Sequence, residues 1–423
     1  MAFDGVPATD VEFQQLDPND IENFSVLKDA AAASVYGARA GNGVILVSTK
    51  RGTVSETKVT INSIMQWQHF LVIPDWVNSE QYARMENVAL MNEGKPPIWT
   101  DEALQKFHDG SDPINYPYTD WWDKTIRPFA PQTQQNINIQ GGNEKVKYFV
   151  SGGYFYQEAM PRSNDTKNKR YNLRSNIDIA LTEKMDLNLD LSVMYQDYIG
   201  PLLEMERQGS RGGLMTMMFR SHPFWQFEFP DKTKLPDWEA PYYNSFIENV
   251  GYKDWNKFNG DAKIGLSYEL PFGFQAKALF HINKDAFNNK EKSGPAKSWW
   301  KYDFNTQVYT LSRIGTDQTI YHRITNTNRL DQQYFLTWNR KFQDHNASAM
   351  VVYELLSDDQ NWFEASRRRY AFDIDYLFAG PDLDKNNNGS ASEGGRQGII
   401  SRLNYDYKGK YLVELNARYD ASS

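Results

Sequence analysis

Residues 170–195 read Arg170-Tyr171-Asn172-Leu173-Arg174-Ser175-Asn176-Ile177-Asp178-Ile179-Ala180-Leu181-Thr182-Glu183-Lys184-Met185-Asp186-Leu187-Asn188-Leu189-Asp190-Leu191-Ser192-Val193-Met194-Tyr195. Tyr171, Leu173, Ser175, Ile177, Ile179 and Leu181 alternate with Arg170, Asn172, Arg174, Asn176, Asp178 and Ala180. After the short connection Thr182-Glu183-Lys184 the alternation resumes, with Leu187, Leu189, Leu191, Val193 and Tyr195 against Asp186, Asn188, Asp190 and Ser192. Successive side chains of a strand point to opposite faces, so this is a hairpin with one apolar and one polar side. A strand of about eleven residues tilted by about 45° rises roughly 25 Å, the height of the apolar band of a bacterial outer-membrane barrel. Strands of soluble sheets more often stop at about 5–6 residues.

The same pattern recurs outward from this hairpin. Ala262, Ile264, Leu266, Tyr268 and Leu270 lead through Pro271-Phe272-Gly273 into Phe274, Ala276, Ala278, Phe280 and Ile282. Leu330, Tyr334, Leu336, Trp338 and Phe342 turn at Gln343-Asp344 into Ala347, Ala349, Val351, Tyr353 and Leu355, and Ile399, Leu403, Tyr405 and Tyr407 turn at Lys408-Gly409 into Tyr411, Val413, Leu415, Ala417 and Tyr419. With 57–68, 134–140 and 145–157, the reading predicts about eleven strands. Short connections (141–144, 182–184, 271–273, 343–345, 408–409) alternate with longer ones (158–169, 198–259, 284–328, 358–396). Turns thereby collect on one rim and loops on the other, an asymmetry that a barrel spanning an outer membrane has and a soluble sandwich or propeller has no reason to adopt. In the stretch 69–132, helices are predicted from Glu80 to Glu93 and from Asp101 to His108, ended by Gly94 and Gly110. Packing on one another as a cap is favoured over lining the outer mouth.

Composition is consistent with this. The chain has 423 residues with 46 Lys+Arg against 54 Asp+Glu, a formal charge of −8, so no basic footprint for nucleic acid is present. It has no Cys, which excludes disulfides, thiol nucleophiles and Cys-ligated metals. Mean hydropathy is −0.68, and no apolar run approaches the roughly 20 residues of a spanning helix, which removes helical bundles but not barrels.

The opening residues follow a different code. Residues 21–28 read as a strand, Asp29 as the N-cap of an Ala-rich helix over 30–36, and Gly37 as its C′ residue. A turn through Gly41, Asn42 and Gly43 then enters the β-branched strand 44–50. These glycines fit neither phosphate-loop spacing and follow a helix rather than open one, so they read as turn glycines.

On these residues the chain resembles a known family. Asp4-Gly5-Val6-Pro7, Leu16-Asp17-Pro18-Asn19-Asp20-Ile21-Glu22, Val26-Leu27-Lys28-Asp29-Ala30, Tyr36-Gly37-Ala38-Arg39-Ala40, Asn42-Gly43-Val44-Ile45 and Thr49-Lys50-Arg51-Gly52 resemble the end of the plug domain of TonB-dependent outer-membrane receptors, the SusC/RagA branch in particular. Gly41 stands where that branch more often has Ala or another small residue. Tyr118-Thr119-Asp120-Trp121-Trp122, the turn Ile139 to Glu144, the strand Val150 to Tyr154 and the stretch Asn404 to Ser423 resemble its barrel, with Ala421 departing from the family's usual Asp-Gly-Ser-Ser. The resemblance implies a mainly β fold: a partial transmembrane antiparallel β-barrel, about 11 of an expected 22 strands, with the C-terminal part of a small α/β plug. It divides the chain into plug at 1–55 and the first half of the barrel, with long extracellular loops, at 56–423. Both ends read as cut, so the export signal, the start of the plug and the second half of the barrel are expected elsewhere.

The family further implies import across the outer membrane of a Gram-negative bacterium, with lipid around the barrel. Its implied partners are a SusD-like surface lipoprotein as lid and the TonB–ExbB–ExbD complex as motor, and its implied ligand is an oligosaccharide or a peptide. Lys28, Asp29, Tyr36, Gly37, Arg39, Asn42 and Gly43 match the plug pattern, which implies that they hold the plug's fold and its seat, with no catalytic residue among them. Two further groups come from the residues themselves. Aromatic side chains flanked by hydrogen-bonding groups suit a sugar's CH-rich face or a peptide side chain, and Trp121, Trp122, Trp225, Trp238, Trp299 and Trp300 are the candidates, although for any one of them an interfacial aromatic girdle or ordinary loop packing is the favoured reading. Asp382, Asp384, Asn386, Asn388, Ser390 and Glu393 fall at positions 1, 3, 5, 7, 9 and 12 of a loop, the oxygen spacing of a Ca²⁺ site. A polar surface loop is the favoured reading there, since Gly389 lies two places late and no flanking helices are evident. No other cofactor is expected. The six His lack zinc spacing, no nucleophile elbow is present, and Arg367-Arg368-Arg369 reads as a solvated loop. The alternative to an importer is a soluble carbohydrate-binding or glycoside-hydrolase β-domain, motivated by the loop aromatics and carboxylates.

Overall fold

The computed structural model describes residues 2–8, 12–13, 16–28, 43–162, 166–202, 213–237, 251–294, 298–303, 305–314 and 317–423. Strands β1 (Ala2–Phe3), β2 (Val6–Pro7), β3 (Ile21–Leu27) and β4 (Val44–Thr49) form a four-stranded sheet in the order β2-β1-β4-β3. The two longer strands match the expected positions to within a residue, whereas the helix expected at 30–36 and the turn up to Asn42 lie outside the described residues. At Gly43 the backbone turns with φ +90°, and a Cβ there would stand 2.7 Å from the Leu27 carbonyl oxygen, so only Gly lets β4 enter beside β3.

The rest is dominated by one sheet. Along the chain follow β5 (Ser55–Gln68), β6 (Ala130–Gly142), β7 (Val146–Glu158), β8 (Lys167–Thr182), β9 (Met185–Pro201), β10 (Leu235–Pro236), β11 (Gly251–Glu269), β12 (Phe274–Ser293), β13 (Ser298–Asp303), β14 (Val308–Ile314), β15 (Thr319–Phe342), β16 (His345–Arg368), β17 (Asn386–Tyr407) and β18 (Tyr411–Ser422). Eleven of these pair in the order β18-β17-β16-β15-β12-β11-β9-β8-β7-β6-β5, every pairing antiparallel, while β10, β13 and β14 make a small sheet in the loops. The strand cores lie where alternation predicts them, but the strands run further on the long-loop side. The expected connections 198–259, 284–328 and 358–396 shorten to 202–250, 294–318 and 369–385. The reason is physical. Above the apolar band both faces meet water, so alternation fades while the backbone ladder continues; the paired Asn328 and Asp359 there even bond through their side chains, at 2.7 Å.

Register lines up one kind of residue on each face. Val146, Ile179, Leu187, Leu266, Ala278, Tyr334, Tyr353, Ile399 and Tyr419 form one continuous rung across nine strands. Members of it are strongly exposed, Ile399 at 50% and Tyr419 at 72%. A rung on the opposite face, three residues along, runs Asn176, Asp190, Lys263, His281, Asp331, Leu356 and Arg396, and here Asn176 and Asp331 are fully buried. Such a sheet is inside out relative to a water-soluble one: its apolar side is bare and its polar side is covered.

The long connections build a layer of their own. Helices α1 (Ser79–Asn92), α2 (Asp101–Asp109), α3 (Trp121–Thr125) and α4 (Leu214–Arg220) lie in it. α1 starts with a reciprocal capping box between Asn78 and Gln81, and α2 ends at Gly110 in the left-handed conformation. Buried Asn87 ties α1 to the segment before α2, its amide oxygen accepting from the Ile98 and Trp99 N–H groups and its nitrogen donating to the Trp99 carbonyl. The two helices therefore pack as a cap. The Arg367-Arg368-Arg369 run is not a free loop: it ends β16, and Arg367 donates to the carbonyls of Phe378 and Gly380, clamping the connection that follows.

Candidate functional site

The polar face of the large sheet is covered by the small one, and the contact is built from charges. Arg174 of β8 meets Asp20 at 3.2 Å, both almost enclosed, and burial pushes the Asp20 carboxyl above the ordinary aspartate range in spite of the Ser151 hydrogen bond and Arg174. Asp17 accepts from Asn136 of β6 at 2.7 Å and from Asn172 of β8 at 3.4 Å. Asn176 donates to the Thr49 hydroxyl at 2.9 Å and to the Lys50 carbonyl at 2.7 Å. Lys263 of β11 reaches the Asp4 carbonyl at 3.1 Å and Asp190 at 2.7 Å, and Arg329 of β15 pairs with Glu12 at 3.0 Å. One small domain thus touches strands from β6 to β15, so the sheet curves around it.

The connector between the two parts is pinned in the same way. Arg51 bonds Asp178 at 2.5 Å and Asp190 at 2.6 Å. The next residue, Gly52, runs so close to β7 that a Cβ there would lie 2.1 Å from the Tyr148 nitrogen. Between the small domain and the wall lies a cavity of about 90 Å³, bordered by polar residues such as Asp4, Glu12 and Lys263 and by apolar ones such as Phe3, Leu16 and Met194. Beside it His281 bridges two carboxylates, with Nδ1 at 2.8 Å from Asp331 and Nε2 at 2.8 Å from Asp261.

Most of the residues selected from sequence lie elsewhere. Of the plug-pattern set, Lys28 is exposed after β3 and Gly43 makes the turn into β4; Asp29, Tyr36, Gly37, Arg39 and Asn42 lie outside the described residues, as does Trp238. The described loop tryptophans take part in packing, the reading favoured for each of them singly. Trp121 and Trp225, 3% and 9% exposed, form an apolar core with Ile126, Leu214, Met217 and Met218, and the Trp121 indole donates to the His222 carbonyl. Trp122 is half-buried and meets Phe70 edge-on at 4.8 Å. Trp299 is buried in β13, and the Lys234 ammonium covers Trp300 at 4.4 Å.

At the Ca²⁺ spacing the structure has mostly strand where a polar surface loop is the favoured reading. Asp382 and Asp384 lie in a 3₁₀ turn, but Asn386 to Glu393 belong to β17, where Asn386, Asn388 and Ser390 share one face and Glu393 takes the other. Residues 386–393 extend over roughly 23 Å, far beyond a coordination sphere with bonds of about 2.3–2.6 Å. The two aspartates are occupied by cations. Lys385 holds the Asp382 carboxyl below the ordinary range and Arg369 does the same for Asp384. Among the described residues no group of three or more His, Cys, Asp and Glu side chains converges as a metal site.

A long-stranded antiparallel sheet, apolar outside and polar inside, with a small domain held on its inner face by ion pairs, is the architecture of a plugged barrel. Comparison with known proteins agrees. The family model described as "TonB-dependent Receptor Plug Domain" matches residues 1–44. TonB-dependent receptor P3 of Formosa agariphila is 25% identical over 414 residues, covering 96% of this chain and 38% of that protein. TonB-dependent receptor SusC of Bacteroides thetaiotaomicron is 31% identical over 140 residues, 33% of this chain and 12% of that protein. In fold, the chain matches the RagAB peptide transporter with a TM-score of 0.77 at 20% identity, covering 99% of this chain and 48% of that one. The chain is thus similar to TonB-dependent receptors of the SusC/RagA type, with the plug-domain match at its start, and it spans less than half the length of the relatives it matches.

Proposed function

We propose that this chain takes part in energy-coupled import of an oligosaccharide or a peptide across a bacterial outer membrane, as receptor and transporter rather than as enzyme. The observation that carries the reading is the pairing of a bare apolar outer face with an inner face sealed by a small charged domain. Residues 1–55 act as the plug and 56–423 as barrel wall. The apolar rungs face lipid, and the ion pairs of Arg51, Arg174 and Arg329, with the hydrogen bond from Lys263 to the Asp4 carbonyl, hold the plug closed. Such pairs resist sliding yet break without unfolding the wall, so a pull on the plug from the TonB–ExbB–ExbD complex, driven by the proton gradient, opens a path. A SusD-like lipoprotein over the loop rim retains ligand during that pull. Peptide import is named for RagAB, and it enters here as one of two cargo readings. The soluble-domain alternative is set aside because continuous apolar rungs of this extent do not remain bare in water.

The test is uptake by cells carrying the receptor, measured with labelled oligosaccharides and peptides before and after collapse of the proton gradient. Uptake that stops while surface binding persists is the expected result. Uptake indifferent to the gradient contradicts the proposal.

A further inference from the structure

Six residues on the inner face form a small lattice of two rows across β11, β12 and β15. One row is Lys263, His281 and Asp331, and the next is Asp261, Asn283 and Arg329. Each carboxylate therefore has a strong cation on its own strand, Asp261 two residues from Lys263 and Asp331 two residues from Arg329, about 7 Å apart with side chains on one face. Neither of these neighbour pairs forms. Lys263 reaches instead to the Asp4 carbonyl of the plug at 3.1 Å and to Asp190 at 2.7 Å, and Arg329 to Glu12 of the plug at 3.0 Å. Both carboxylates turn to His281, whose Nε2 lies 2.8 Å from Asp261 and whose Nδ1 lies 2.8 Å from Asp331.

That geometry fixes a proton. A neutral imidazole has one N–H and one bare nitrogen. With a carboxylate oxygen at hydrogen-bond distance from each nitrogen, a neutral ring would set lone pair against lone pair at one of the two contacts. Only the doubly protonated ring donates to both, so the bridge holds a second proton. Asn283 adds one further donor to Asp261 at 3.0 Å. The other charged groups bordering the cavity beside His281 are Arg174 of β8, Asp190 of β9, and Asp4, Glu12, Asp17 and Asp20 of the plug.

A second, independent feature shows that the lattice has another pairing within reach. Asp331 is fully buried, yet its Oδ1 has no partner among the described residues. Buried acceptors normally have one, and an unmet group is costly. The Arg329 guanidinium, turned back from Glu12 along its own strand, would meet it, as the Lys263 ammonium would meet Asp261. The plug and the two wall carboxylates thus compete for the same two cations, and His281 decides the competition by occupying the carboxylates.

We infer that the doubly protonated His281 is a positioning residue for the seat of the plug: by holding Asp261 and Asp331 it leaves Lys263 and Arg329 to the plug. Loss of the second proton to solvent returns both cations to their neighbouring carboxylates and loosens the plug at Asp4 and Glu12. The inference rests on the reading of residues 1–55 as a plug and adds a proton-operated control of its seat.

The experiment uses the full-length receptor reconstituted in planar bilayers, with ion leak through the plugged barrel as the readout and folding checked by heat-modifiable migration. His281→Gln, which donates from one end only, is expected to raise the leak roughly tenfold or more, as breaking a buried charge arrangement does. Adding Asp261→Asn and Asp331→Asn removes the carboxylates that draw Lys263 and Arg329 away, and this triple variant is expected to return to the wild-type leak. A merely structural His281 predicts the opposite, because two more buried substitutions add to the damage. In the wild type the leak is expected to rise as pH is raised from about 6 to about 9.5, below the range in which Lys gives up its proton. In His281→Gln it is expected to stay high and flat over the same range, and this comparison decides alone if the triple variant does not fold. An unchanged leak in His281→Gln, a folded triple variant at least as leaky, or a wild-type leak indifferent to pH overturns the inference. Gradient-driven uptake by the wild type is scored separately: its absence defeats the import reading and leaves the control of the seat standing.

Discussion

Gly52 and Arg51 carry the connection between plug and wall, and each makes a separate prediction. Gly52→Ala puts a methyl group 2.1 Å from a β7 backbone nitrogen, which neither element can concede without moving. A loss of about 3 kcal/mol is expected from such overpacking, read as a lower thermal midpoint of the detergent-solubilised receptor. Arg51→Ala leaves Asp190, a nearly enclosed carboxylate, with Lys263 as its remaining cation and Asp178 with the Asn188 amide. The plug is then expected to seat loosely, which planar-bilayer conductance would register as an increased ion leak, with the barrel still extracted and migrating as folded. At this scale the sequence was informative in one direction only. Arg174, Asp178 and Asp190 announced a polar strand face by their spacing, but nothing marked Asp20 as the partner of Arg174 or Arg51 as that of Asp178 and Asp190, because pairing across more than a hundred residues is a product of tertiary placement.

Among the elements, strands were the most legible and their upper ends the least. Leu266 and Ile264 alternate with polar neighbours because, on the import reading, one side faces lipid; that signal stops at Phe258, beyond which only the ladder to β9 and β12 keeps the strand going. The same loss of contrast made Asn386 to Glu393 read as a loop and placed Trp255 of β11 and Phe287 of β12 inside what looked like long connections. The conspicuous tandem Trp121-Trp122 drew attention instead, although a buried core needs such residues as much as a ligand does. The helical cap offers two tests. Asn87→Ala strips two N–H groups and a carbonyl of their partner, an expected local cost of about 2 kcal/mol, visible as faster proteolysis within residues 93–100 while the barrel stays intact. At the other contact, the His108 hydrogen bond, followed by that of Arg84, holds the Glu80 carboxyl below its ordinary value of 4.5. A depressed carboxylate contributes stability that is present above the unfolded value and lost as pH falls through the folded one. Proteolysis of the cap is therefore expected to quicken below about pH 4.5, and Glu80→Gln to reduce that pH dependence, the remainder belonging to Glu102, Asp109 and Asp112, which are held low as well.

At the scale of the whole molecule, everything depends on which side of the sheet meets lipid. Replacing Leu266 by Arg puts a charge on the apolar side, where a mid-bilayer position costs about 2–4 kcal/mol, so assembly into outer membranes is expected to fall. Replacing Thr325 by Arg on the other side leaves assembly unchanged. The orientation can also be read directly, because the chain has no native cysteine to remove. Single cysteines at successive positions from 261 to 268 in the membrane-inserted receptor, spin-labelled and exposed in turn to lipid-soluble oxygen and a water-soluble nickel complex, measure the environment residue by residue. The account predicts a period of two, with Ala262, Ile264, Leu266 and Tyr268 reached by oxygen and Asp261, Lys263, Gly265 and Ser267 sheltered from it. Labels at the even positions shielded from both reagents, as in a packed water-soluble core, or no alternation at all, would contradict it.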